Sequence, residues 1–387
     1  MAGYAALLAR PVTWWWLAAT LSTRLAVCTV PLASVFAAGQ HTGSYAWGAV
    51  LAGAYAAGEA LGAPVMGARI QRRPLRRELS WVAVAEALAL AGVVASLRLG
   101  VPAVAVPLAA LGGGVASGTF GGLRTLLVAA APGARANALA LDVIANQLCQ
   151  VAGPALAAAA VVAGSADAAL LAVAGALLAT VPVATRLPPA LPGADGPRPG
   201  PRRRVLRSIW PSAVVVTVVL AVQAAVEVSL PGVLERRGGP PEWAGIALSA
   251  LAVSSVAGSF LYGLRRWAGP ALLHTLLLAS VFGAIVAAVG VLDSPVATVA
   301  LVGCAGFFQA AASTARSLTV TDALPPADWS AGFSVLYAWG AVGFTVASAA
   351  GALFLATGDP AVLLTALGAG ACLTFAFTGW AERRFTS

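Results

Sequence analysis

Runs of about 20 apolar residues recur from one end of the 387-residue chain to the other, and this feature removes most folds from consideration. Each run is long enough to cross a hydrocarbon core as a helix. A membrane β-barrel would show short alternating segments instead, and these are absent. Only 10% of the residues are charged while 60% are hydrophobic, and the mean hydropathy is +0.88. Ordinary globular domains carry about 25% charged residues, so the expected fold class is an all-α polytopic membrane protein. The first run, Val12 to Ala38, contains Arg24 and is too long for a leader's apolar core, so it reads as a span.

Twelve spans are expected. The first six lie at about 12–37, 44–68, 79–97, 102–123, 138–163 and 166–185. The second six lie at about 209–231, 242–263, 270–290, 295–317, 331–356 and 360–380. Between the two sets, residues 187–208 are rich in proline and glycine and then basic, which makes them a linker. The expected domains are therefore residues 1–186 and 209–387.

The formal net charge of +9 does not point to nucleic acid. All 23 basic residues are arginines, and most fall in alternate loops: Arg10, the run from Arg69 to Arg77, Arg124, Arg135, the linker, Arg265, Arg266, Arg316, Arg383 and Arg384. Arg98, Arg236 and Arg237 lie on the other side. That bias places both termini in the cytoplasm. The tryptophans fit an interfacial belt: Trp14, Trp15 and Trp16 open the first span, and Trp47, Trp81, Trp210, Trp243, Trp267, Trp329 and Trp380 lie near expected helix ends. Trp339 falls well inside one.

The halves also resemble each other. The stretch from Arg124 to Ala131 aligns with that from Arg316 to Ala323, sharing the arginine, leucine, valine and final alanine. Arg265 and Arg266 occupy the loop equivalent to the arginine run at 69–77. A parallel six-plus-six internal repeat accounts for both.

The frame Gly67-Ala68-Arg69-Ile70-Gln71-Arg72-Arg73-Pro74-Leu75-Arg76-Arg77, between the second and third spans, resembles the signature of the major facilitator superfamily. Gly67 takes the first glycine position, and Arg72, Arg76 and Arg77 take the basic ones. Gln71 and Pro74 stand where the family has aspartate and glycine. Gly153-Pro154-Ala155-Leu156-Ala157-Ala158 resembles the fifth-helix motif of drug:proton antiporters within that family. Their fourth-helix motif is not kept: with Gly112 as its glycine, Leu108 and Leu111 fill its polar places. The resemblance implies twelve helices in two six-helix bundles around a central cavity. It implies transport of a small molecule, with protons as a possible coupling ion. It also gives Gly67, Gln71, Arg72, Arg76, Arg77, Gly153 and Pro154 a part in gating. The family's aspartate latches the bundles on the cytoplasmic side; Gln71 cannot supply that charge, so Asp142 is the candidate substitute.

Charges retained within spans need a reason, because each costs about 2.5–3.5 kcal/mol at the bilayer centre. Arg24 lies roughly 18 Å into the first span and Glu59 roughly 14 Å from the cytoplasmic end of the second. These similar depths point to a buried pair, which Glu86 in the third span completes. Asp142 is expected in the first turn of the fifth span, where a helix dipole favours a carboxylate. Asn146, Gln147 and Gln150 share a face there, and that amide stripe either lines the pathway or hydrogen-bonds between helices. Gln223 and Glu227 stack on the seventh span. Phe307, Phe308 and Gln309, with Tyr337 and Trp339, form either an aromatic wall or ordinary helix packing. His41 is expected in an exposed loop and His274 at an interface.

Neither histidine accompanies an acidic cluster, and Cys28, Cys149, Cys304 and Cys372 are isolated in apolar runs. No catalytic residue, metal ligand or cofactor is therefore expected. The reading is a monomeric exporter of a small amphipathic molecule in a bacterial inner membrane. Uptake or facilitated diffusion of a sugar-like solute is the alternative within transport, and a membrane enzyme or sensor the alternative outside it.

Overall fold

The computed structural model describes residues 2–191, 202–240, 243–265 and 267–386. The first half contains α1 (Ala2–Leu8), α2 (Pro11–Thr42), α3 (Tyr45–Arg72), α4 (Leu75–Arg98), α5 (Pro102–Ala116), α6 (Gly118–Ala130), α7 (Arg135–Val162) and α8 (Asp167–Ala184). The second contains α9 (Arg202–Arg236), α10 (Trp243–Leu264), α11 (Ala271–Val291), α12 (Pro295–Ala323), α13 (Trp329–Thr357) and α14 (Pro360–Thr386). Among the described residues no strand occurs, and twelve spans are long and apolar enough to cross a membrane. One of these is α5 and α6 together, and Ser117 between them keeps helical φ and ψ.

The chain divides into two compact units. The first comprises Met1–Ala134, Ala145–Val205 and Leu324–Ala338, and the second Arg135–Ile144, Leu206–Ala323 and Trp339–Ser387. Both α7 and α13 thus contribute one segment to each unit. Helix pairing repeats between the units. In the first, α5 packs on α3 and α4, and α4 on α8; in the second, α12 packs on α10 and α11, and α11 on α14. The spacing that relates Arg124 to Arg316 also relates Asp167, which opens α8, to Asp359, which precedes α14.

Several local expectations need correction. The loop expected between the first two spans, where His41 falls, is helical as far as Thr42, and α2 ends only at Gly43, whose φ of 67° suits glycine. The reason is tertiary. Gln40 accepts a hydrogen bond from the Ala166 amide at 2.8 Å, and His41 pairs with Asp167 at 2.9 Å. His41 is therefore half-buried rather than on an exposed loop. Arg98 donates to the same Asp167 carboxylate at 2.8 Å, so three helix ends meet there. In the second unit Arg237 is similarly enclosed. It donates to Thr298 Oγ1 at 2.6 Å; burial lowers its pKa, which Asp293 and Asp359 oppose.

Trp16 is fully buried and donates to the Leu123 carbonyl at 2.8 Å, unlike Trp14 and Trp15, which stay exposed. Arg124 lies inside α6 and not in a loop, with its guanidinium carbon 5.0 Å from the Phe333 ring centroid. Because α7 begins at Arg135, Asp142 sits in its third turn, beyond the reach of a first-turn dipole. The basic end of the expected linker, from Arg202, is already helical and kinks at Ile209; residues 192–201, including Arg198, and Arg266 lie outside the described residues.

Candidate functional site

On α3, Tyr55 and Glu59 are four residues apart and share a face. Both are buried, and Gly113 of α5 lets its own helix reach them: a Cβ there would lie 3.1 Å from Glu59 Cγ. The Tyr337 hydroxyl, from α13, donates to Glu59 Oε1 at 2.8 Å. The Tyr337 ring stacks on Phe120 of α6 with centroids 4.5 Å apart. Phe120 also meets Arg24 of α2, whose guanidinium carbon is 5.2 Å from the ring centroid. Arg24 and Glu59, expected as a pair, are therefore joined in one buried cluster through a stacked aromatic pair. Glu86 of α4 is fully buried and accepts a hydrogen bond from Tyr55 at 2.7 Å, so it belongs to the same cluster. A cation over a ring gains more when desolvated than in water, and Arg24 is buried.

Two glycines seat the start of α13 in this unit. A Cβ on Gly67 would overlap the Ser334 hydroxyl and lie 2.5 Å from Ser334 Cβ. A Cβ on Gly121 of α6 would lie 2.5 Å from the Ser330 carbonyl oxygen. Ser330 Oγ donates to the Gly67 carbonyl at 3.1 Å, which fixes the contact. The small residues thus let three backbones approach closely, as helix interfaces in lipid generally require.

Next to Gly67, Gln71 is buried while Arg72, Arg76 and Arg77 are exposed. The carboxylate that meets this arginine run is Glu78, which is not among the residues expected from the sequence. Glu78, in the first turn of α4, is buried and accepts from Arg69 Nε at 2.6 Å, with Arg73 at 3.7 Å. Arg76 donates through Nε to the Leu187 carbonyl at 2.6 Å, tying the end of α8 to the start of α4. Asp142 is fully buried in the segment of α7 that belongs to the second unit.

The amide stripe on α7 is graded: Asn146 is half-buried, Gln147 buried and Gln150 exposed. Gln150 Oε1 accepts from the Cys28 thiol at 3.3 Å. One turn on, a Cβ at Gly153 would lie 2.6 Å from the Cys28 carbonyl carbon, so this glycine sets the approach of α7 to α2. The helix continues through Pro154, which is exposed. In the second unit, Gln309 donates to Gln223 and Gln223 to Glu227, each at 2.8 Å, so the expected stack on α9 gains a member from α12. Phe307 and Phe308 pack edge to face in the same unit, and Trp339 is 43% exposed there. Among the described residues no group of three or more His, Cys, Asp or Glu side chains is placed to hold a metal ion.

No family model and no curated protein matches the sequence. Solved structures do match it. The human organic anion transporter MFSD10 (TETRAN) superposes with a TM-score of 0.75 at 16% identity, covering 95% of this chain and 98% of that one. A bacterial homologue of the iron transporter ferroportin, in an outward-facing state, gives 0.74 at 16% identity over 96% and 100%. The major facilitator superfamily transporter FucP, in an outward conformation, gives 0.71 at 12% identity over 95% and 98%. The chain has the major facilitator fold. The agreement runs nearly end to end in both partners.

Within the major facilitator fold, two features besides Glu78 are not legible in the sequence. Tyr337 is expected in an aromatic wall or in helix packing, yet its hydroxyl donates to Glu59. Gly121, Ser330 and Ser334 were not singled out at all. A glycine in one apolar helix and two serines four apart in another are ordinary sequence, and only the meeting of α3, α6 and α13 gives them meaning.

Proposed function

We propose that this protein is a secondary transporter that exports a small, amphipathic molecule from the cytoplasm by alternating access. The bodies that move are the two six-helix bundles, residues 1–186 and 209–387, joined by residues 187–208. Both termini face the cytoplasm of a bacterial inner membrane, as the arginine bias favours. The observation that carries the reading is the buried cluster of Arg24, Glu59, Glu86 and Tyr337 in a fold that MFSD10 and FucP use for transport. Charged side chains within membrane helices are costly, and they commonly mark an ion or substrate path. Protons are the coupling ion, with Glu59 as carrier, Arg24 as its counter-charge and Gln223, Glu227 and the Asn146–Gln147–Gln150 stripe along the path. Gly67, Gln71, Arg72, Arg76, Arg77, Asp142, Gly153 and Pro154 govern opening, and Trp339 borders the path.

Direction is tested in inverted membrane vesicles with a panel of amphipathic fluorescent dyes. Acidifying the lumen is expected to drive dye inward, since the lumen corresponds to the outside of the cell. Gradient-driven loss of preloaded dye from the same vesicles would instead establish uptake.

A further inference from the structure

We infer that the end of the first unit where α3 meets α4 and α8 ends is a binding site for the headgroup of an anionic phospholipid. Arg72, Arg73 and Arg77 are exposed there. Arg76 is exposed as well and donates through Nε to the Leu187 carbonyl at 2.6 Å. The residue before Leu187 is Arg186, also exposed, so the positive surface continues from α4 to the end of α8. Segments 60–77 and 168–191 contain no acidic residue, and Glu78 is buried beneath Arg69 and Arg73.

Aromatic rings bound the patch on both sides. The Arg69 guanidinium carbon lies 4.6 Å from the ring centroid of Trp81, which is 42% exposed. Arg186 lies 5.5 Å from that of Trp15, which is 38% exposed. Exposed tryptophans at the ends of long apolar helices sit at headgroup depth. The arginines are therefore presented where lipid phosphates are, and a guanidinium matches a phosphate through paired hydrogen bonds. Nucleic acid fits less well, because this surface alternates charge with indole rings at the edge of an apolar span. Arginine positions chosen for topology alone would need no indole partners.

The test uses the full-length protein reconstituted in equal amounts of phosphatidylglycerol and phosphatidylcholine, then released into mild detergent for native mass spectrometry. Retained phosphatidylglycerol is expected to exceed phosphatidylcholine by about tenfold, on the scale of a few screened arginine contacts. The excess should shrink as salt rises. It should fall to parity in R72Q/R73Q/R77Q, persist largely in R72K/R73K/R77K, and be unchanged in R236Q, whose arginine faces Asp359 in the second unit. Equal retention of the two lipids by the wild type, or full enrichment in the triple glutamine variant, would overturn the assignment. So would release of the lipid by excess glycerol 3-phosphate, which would mark a site for soluble phosphate esters.

Discussion

Replacing Gly67 with alanine is expected to cost about 1–3 kcal/mol of stability, the scale of overpacking in a filled interior, and to remove most transport. The added Cβ meets Ser334 Cβ at 2.5 Å, an atom fixed to the α13 backbone, so no rotamer change relieves it. Helix α13 must shift away from α3, and the bond from Ser330 Oγ to the Gly67 carbonyl is lost with it. The identity of the obstruction supplies an internal control. Replacing Ser334 with glycine removes both nearest atoms, so G67A/S334G should recover much of what G67A loses, a strong coupling between contacting sites. At Gly121 the nearest obstacle is the Ser330 carbonyl oxygen, which no side-chain change removes. G121A should therefore be as damaging as G67A and should gain far less from Ser334→Gly. Thermal unfolding of the purified variants checks all four proteins. Equal rescue of G67A and G121A would show that the obstruction lies elsewhere.

The second large effect is at Glu59. Glutamine keeps the volume of the side chain and an oxygen that can accept from Tyr337, so Glu59→Gln should fold with the cluster in place. It cannot gain or lose a proton. Dye accumulation driven by a pH gradient should fall to background, while exchange of dye across the membrane without a gradient should continue. Tyr337→Phe keeps the stack on Phe120 and removes only the donor at 2.8 Å. A hydrogen bond to a charged group contributes about 1.5–3 kcal/mol, so an intermediate loss of about tenfold or more is expected. Unchanged gradient-driven transport in E59Q would exclude Glu59 as the carrier.

Much of the fold was legible because its main determinant is local. A span announces itself by length and hydropathy, and all twelve appear as helices that meet both criteria. Arg24, Glu59 and Glu86 were legible as one cluster because charge in an apolar run is conspicuous. What joins them was not. Phe120 and Tyr337 look like any aromatic in a membrane helix until α6 and α13 bring them together. His41 shows the reverse error: a polar stretch ending in glycine resembles a loop, but Asp167 lies more than a hundred residues away and holds it in a helix. Glu78 was overlooked beside five arginines, although an acid at the first turn of a helix following such a run is its natural local partner. Gly67 was found through a motif, and its role in the structure is a close approach that spacing alone does not reveal.

Alternation is the central claim, and accessibility at position 150 tests it without knowledge of the substrate. Gln150 is exposed on α7 beside Cys28. With Cys28, Cys149, Cys304 and Cys372 replaced by alanine, Gln150→Cys leaves one thiol for a membrane-impermeant maleimide. The account predicts that this thiol is labelled in right-side-out vesicles and also in inverted vesicles, because the path opens to each side in turn. Labelling from one side alone, or from neither, would contradict it.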